Sequence, residues 1–111
     1  MTVSVKVLIP AKYAENTQAT QYTSTNAKTI IDKFTATNIS ASAATISVNI
    51  VTTSYSAGDS NLIVKTKTLS PAQTYTFPEI VGQVLNAGDF ISTIASAASA
   101  VNIRASGREV T

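Results

Sequence analysis

Few residues in this 111-residue chain can carry chemistry: six Asp/Glu, eight Lys/Arg and four Tyr, with no His, Cys or Trp. Without imidazole or thiol, the commonest general bases, nucleophiles and transition-metal ligands are missing. Gly58-Asp59-Ser60 sets a carboxylate beside a hydroxyl. A serine nucleophile needs a base within hydrogen-bond reach, however, and neither a histidine nor a nearby lysine supplies one. Asp59 and Asp89 each follow a glycine, so two loops could offer oxygens to Ca²⁺. Calcium takes roughly six to eight oxygens, more than carboxylates this dispersed provide. Glu15, Asp32, Glu79 and Glu109 complete the acidic set. Glycoside hydrolysis requires two carboxylates facing each other across a sugar-sized cleft, and their spacing singles out no pair. The expectation is a chain with no catalytic residue, no metal ligand set, no cofactor and no enzymatic activity.

What remains is contact chemistry. Gly-Asp is first a turn signature, and Tyr is enriched where protein surfaces meet because its ring is apolar and its tip polar. Tyr55, Gly58 and Asp59 in one loop, and Asn86 and Asp89 in another, are therefore the candidate interaction residues. Asn38-Ile39-Ser40 matches an N-glycosylation acceptor, but Met1 to Ile9 alternates as a strand and lacks the continuous apolar core of a signal peptide, so the match is read as chance. The net charge of +2 comes from cations and anions scattered along the chain. Lys65 and Lys67, two apart on one face of a strand, read as a solvated face, and no nucleic-acid partner is expected. No run approaches the ~18 apolar residues of a membrane span, so no membrane partner is expected either.

The elements that must position these residues alternate with period two almost throughout. Thr2 to Ile9 gives a first strand closed by Pro10, and Gln18 to Thr25 a weaker second. Ala27 to Asn38 is a strong strand of ambiguous phase: Ile30, Asp32, Phe34 and Ala36 share one face, and Ile31, Lys33, Thr35 and Thr37 the other. Asn38 to Ala43 suits a hairpin connection into Ala44 to Val51. A long loop from Thr52 to Asn61 follows, then a strand from Leu62 to Leu69 with Lys65 and Lys67 outward and Leu62, Val64 and Thr66 inward. Gln73 to Phe77, Phe90 to Ala95 and Ala100 to Ala105 are further strands, and Ser106 to Arg108 reads as a bend or bulge. One helical turn is allowed near 78–85, where Pro78 can take a first helical position and Glu79 meets the positive end of the dipole. About eight short strands with turn signals between them predict a single all-β domain over 1–111, an antiparallel sandwich of jelly-roll type. The small residues of Ile94 to Arg108 leave two readings open: close approach within an assembly, or a thin edge of the sandwich.

Three stretches together resemble a known group: Lys28-Thr29-Ile30-Ile31-Asp32-Lys33-Phe34-Thr35-Ala36-Thr37-Asn38, then Ser47-Val48-Asn49-Ile50-Val51, then Leu85-Asn86-Ala87-Gly88-Asp89-Phe90-Ile91-Ser92 running to Ala105-Ser106-Gly107-Arg108-Glu109. In this order they are similar to small virion structural proteins of tailed bacteriophages, β-sandwiches that decorate the head or sit in the neck or tail. The resemblance covers Lys28 to Thr111 and rests on strands and turns, so it carries over no catalytic residue. It implies a capsid decoration or cement protein on the outer head surface, assembled in the host cytoplasm. The implied partners are the major capsid protein or other virion proteins and further copies of the chain as a dimer or trimer. A neck, tail or receptor- and glycan-binding module of the virion is the alternative.

Overall fold

Val, Ile and Thr at alternating positions favour the pleated chain, and the computed structural model, which describes all 111 residues, contains nine strands. They are β1 (Val3–Tyr13), β2 (Ala19–Thr23), β3 (Lys28–Asn38), β4 (Ala44–Val51), β5 (Leu62–Leu69), β6 (Thr74–Tyr75), β7 (Val84–Leu85), β8 (Phe90–Ala95) and β9 (Val101–Val110). A front sheet runs β1-β9-β3-β6, with β7 also paired to β3, and a back sheet runs β2-β8-β4-β5. All pairings are antiparallel. Successive strands mostly change sheet, and the first and last strands are neighbours. This is the order of a jelly roll, two Greek keys wrapped into a sandwich. The expected fold class is therefore observed.

The core lies between the sheets and includes Ile9, Ile31, Phe34, Ile46, Leu69, Phe77, Ile80, Leu85, Ile91 and Ile103, all fully buried. Phe77 anchors it: its ring meets Phe34 edge-on at 4.9 Å and Tyr75 at 4.8 Å. Phe77 stands at the mouth of the 78–82 turn, and its carbonyl accepts from Ile80 and Val81. That segment is a hydrogen-bonded turn running into β7, and the one helical element, a 3-10 turn, falls at Asp59–Asn61.

Several expectations are corrected by local geometry. β1 continues past Pro10 to Tyr13, because it is an edge strand and a missing N–H is tolerated there. The 39–43 segment crosses from the front sheet to the back sheet and is not a hairpin; β4 and β5 form the hairpin, joined by the long loop. The ambiguous phase of β3 is resolved by a bulge between Ile31 and Lys33. One extra residue switches the buried set from Thr29 and Ile31 to Phe34, Ala36 and Asn38. A bulge in β5 places Thr66, at a φ of +45°, in the open and turns Lys67 inward beside Ile46. Lys67 Nζ then sits 4.4 Å from the centre of the Tyr75 ring, so the two lysines do not share a solvated face. The thin-edge reading of the C-terminal run also fails, since β8 and β9 are interior strands of opposite sheets. At Gly107 a Cβ would lie 2.1 Å from the Ile30 carbonyl oxygen, so only glycine admits that approach.

Candidate functional site

The five candidate contact residues gather at one end of the sandwich, where the loops 52–61 and 86–89 emerge beside both chain termini. The sequence assigned them to two separate loops; that the loops share one end, and that their residues differ in role, is seen only in the structure. Tyr55 is 69% exposed at the tip of the long loop, after a tight turn in which its N–H donates to Thr52 O. Gly58, Asp59 and Asn86 are exposed too, while Asp89 is buried. The Asp89 carboxylate accepts from Thr53 N at 3.0 Å and Asn86 N at 2.9 Å, so it ties the two loops together. The backbone of Gly88 closes on the same threonine: a Cβ there would meet Thr53 Oγ1 at 2.6 Å, at a φ of +92°. Asp89 is a positioning residue of the fold, and no three acidic side chains gather at one place.

Two asparagines that sequence reasoning missed hold the loop from below. Asn49, only 2% exposed on β4, donates from Nδ2 to Gly58 O at 2.9 Å and to Asn61 Oδ1 at 2.7 Å. Asn61 Oδ1 also accepts from Gly58 N, and its Nδ2 donates to Ser56 O. A signal was available: asparagine is disfavoured in strands, so one at the centre of a clean strand has a side-chain task. Beside them lie two shallow clefts of about 190 Å³ each, one lined by Thr52, Tyr55, Ser60 and Asn61, the other by residues including Gln18, Asn49, Gly58, Asp59 and Lys65. Amides, hydroxyls, one ammonium and one phenol can make hydrogen-bonded contacts here. Asn38 likewise has an internal role, donating to Ser42 O and Leu69 O and accepting from Ser40, so the asparagine of the 38–40 acceptor motif is fully buried.

A second surface appears on the front sheet. In an antiparallel ladder, partners project to the same face. Val5 pairs with Arg108, Arg108 with Ile30, and Ile30 with Val84, giving one row across the outward side. Val3 with Val110 and Val7 with Ser106 form the flanking rows. Val3, Val5 and Val7 are 52%, 88% and 44% exposed. Arg108 is held in that row by Asp32, with Nε to Oδ2 and Nη2 to Oδ1 both at 2.9 Å. The guanidinium beside Asp32 holds its carboxyl below the usual range. On the inward side of the same strands, Tyr22 and Lys6 converge on Glu109. The Tyr22 hydroxyl, which donates to Glu109 Oε2, is the main cause that holds the Glu109 carboxyl below its ordinary value; Lys6 Nζ at 3.2 Å adds to it. Burial and then Glu109 push the Tyr22 phenol up.

Comparison of the chain with protein-family models, with curated protein sequences and with solved structures finds no match.

Proposed function

We propose that this chain is a non-enzymatic structural protein of a bacteriophage virion, a decoration or cement protein bound to the outer head surface. The observation that carries the reading is an open apolar edge: a jelly roll whose first strand presents Val3, Val5 and Val7 to the outside at the margin of the front sheet. Large apolar side chains in a row on an open sheet margin mark a contact surface. Jelly rolls are a recurrent architecture of capsid and lectin domains, a fold-level analogy that is compatible with the reading and does not decide it. A cement acts by mass action, since a protein that binds only the assembled shell shifts the equilibrium toward it. Its partners in this reading are the major capsid protein and further copies of itself, in the virion.

The test is a copy count in purified particles, with a density map of the intact particle to place the chain. Copy numbers matching the head lattice are expected. A handful of copies at one vertex would assign the chain to the neck or tail, and complete absence would end the virion reading. Exposed Tyr55, on a loop pinned by Asn49, Asn61 and Asp89, favours a second reading as a receptor- or glycan-binding module. Glycan arrays and cell-adsorption assays with the isolated chain test it, and silence at millimolar ligand rejects it.

A further inference from the structure

We infer that two copies of this chain pair through β1, edge to edge and antiparallel, about a two-fold axis at Val5. The inference deepens the contact surface used above, but it concerns the chain alone in solution, so it fails or survives separately from the virion reading.

The backbone sets the register. Thr2 and Thr111 exchange both N–H···O bonds, each 2.9 Å, so Thr2:Thr111 is a hydrogen-bonded pair of the β1–β9 ladder. Such pairs alternate along an antiparallel ladder. Ser4 and Lys6, opposite Glu109 and Gly107, therefore turn their N–H and C=O groups toward β9. Val3, Val5 and Val7 turn theirs to the open edge. The same bonds tie the strand down as far as Thr2, so the edge is already extended and ordered for a partner.

The guards of this edge are unevenly placed. Natural edge strands are protected from pairing by proline, bulges and lysine. In β1, Pro10, Lys12 and the bulges between Val7 and Ile9 and between Ile9 and Lys12 all lie in the C-terminal half. In the N-terminal half the only charge is Lys6, which is paired with Glu109 of its own chain. By contrast, β5, one of the two outer strands of the back sheet, carries Lys65 and a bulge at its middle. The unguarded run is Val3 to Val7.

That run is self-complementary in one register. With Val5 opposite Val5 of the second copy, Val3 meets Val7 and Val7 meets Val3, so all three outward-turned residues exchange bonds, about six in total. Lys6 then faces Ser4, and no like charges meet. Centring on Ser4 loses one of the three pairs, and centring on Lys6 sets two lysines against each other and brings the bulge into the ladder. The isologous arrangement closes on itself and leaves no free copy of this edge.

Sedimentation equilibrium of the purified full chain tests the pairing, from micromolar to about millimolar concentration because a contact of this size is small. A concentration-dependent monomer–dimer equilibrium is expected. Val5→Lys introduces two facing charges at an 88% exposed position and is expected to raise the dimer Kd at least tenfold with an unchanged circular dichroism spectrum. Val5→Pro removes the outward N–H and sets its ring at the open edge, where an edge strand tolerates it, and is expected to weaken the dimer as well, while Ile63→Lys on β5 leaves it intact. A chain that stays monomeric at every concentration overturns the inference. So does a dimer indifferent to both Val5 substitutions, or a trimer.

Discussion

On the back sheet the outward positions of β4 and β8 include Ser47, Asn49 and Ser92, all buried, whereas one row on the front sheet carries Val5, Arg108, Ile30 and Val84, with Val5 and Val84 open. Polar groups are thus buried on one face while valines stand open on the other. The polar groups on the back face are buried because the chain itself covers them: Gln18 reaches Ser92 Oγ at 2.7 Å, Ser47 Oγ accepts Thr66 N at 2.8 Å, and the 52–61 loop folds over Asn49. Buried polar groups must be satisfied, so side chains there have internal partners. The front face is apolar at its margin, where Val3, Val5 and Val7 stand on β1, and the outer edge of that strand has no neighbour within the chain. One face is completed by folding; the other is left for something outside the chain.

The sharpest way to break this contrast is to remove the back face's central polar group. Asn49→Ala removes both amide bonds that hold the loop from below, leaving Gly58 O and Asn61 Oδ1 with only each other's backbone and side-chain partners, and two lost hydrogen bonds cost about 1 to 3 kcal/mol. A loss of about 2 kcal/mol is expected in urea unfolding, with the midpoint of thermal unfolding falling by roughly 8 °C at ~4 °C per kcal/mol. A variant as stable as the parent would mean that the loop is held by something else.

Asn49 also marks where sequence reasoning ended. The alternation of Ala44, Ile46 and Val48 is enough to predict β4 and its inward face, because period two needs no partner to be recognised. What Asn49 touches lies nine and twelve residues on, across a loop whose path follows from no local pattern. The bulges were hidden for a similar reason. One extra residue at Asp32 or at Thr66 shifts every later side chain to the other face, so the phase of β3 and the direction of Lys67 depended on a single irregularity. Tyr55, Gly58, Asp59, Asn86 and Asp89 were legible as loop residues from turn chemistry alone. That Asp89 faces inward required the other loop to be in place.

Asp89→Ala is expected to act more weakly than Asn49→Ala, by about 1 to 2 kcal/mol, because it frees two loop N–H groups that can reach water. Urea unfolding measures the loss. Amide exchange should locate it, with Thr53 and Asn86 losing protection before the strands do. Uniform loss across both sheets would make the loop end part of the cooperative core and remove it as a separately adjustable contact surface.

Beneath the front face, Tyr22 and Glu109 give a pH signature. The folded state holds the Glu109 carboxyl below its ordinary 4.5, so its stabilisation is complete above that value and is lost as pH falls through the lower folded one. The Tyr22 phenol is raised above 10.0, so its contribution is complete below that value and is lost as pH rises through the folded one. Glu109→Gln should flatten the acid limb of stability against pH, and Tyr22→Phe both limbs. An acid limb unchanged in Glu109→Gln would assign it to other carboxylates, such as Asp32 beside Arg108.

The smallest expected effect separates the two faces best. Val5→Thr keeps the β-branch and nearly the same shape, so strand propensity and packing hardly change. At 88% exposure the lost methyl was never removed from water in the monomer, and the new hydroxyl stays hydrated. Monomer stability should therefore stay within about 0.5 kcal/mol of the parent, as for most surface substitutions. In an edge-to-edge dimer the same methyl meets its symmetry mate, so Val5→Thr should weaken self-association while leaving dilute-solution unfolding unchanged. The inverse result, a destabilised monomer with unaltered association, would show that Val5 is already covered within its own chain, and the front face would then be completed by folding just as the back face is.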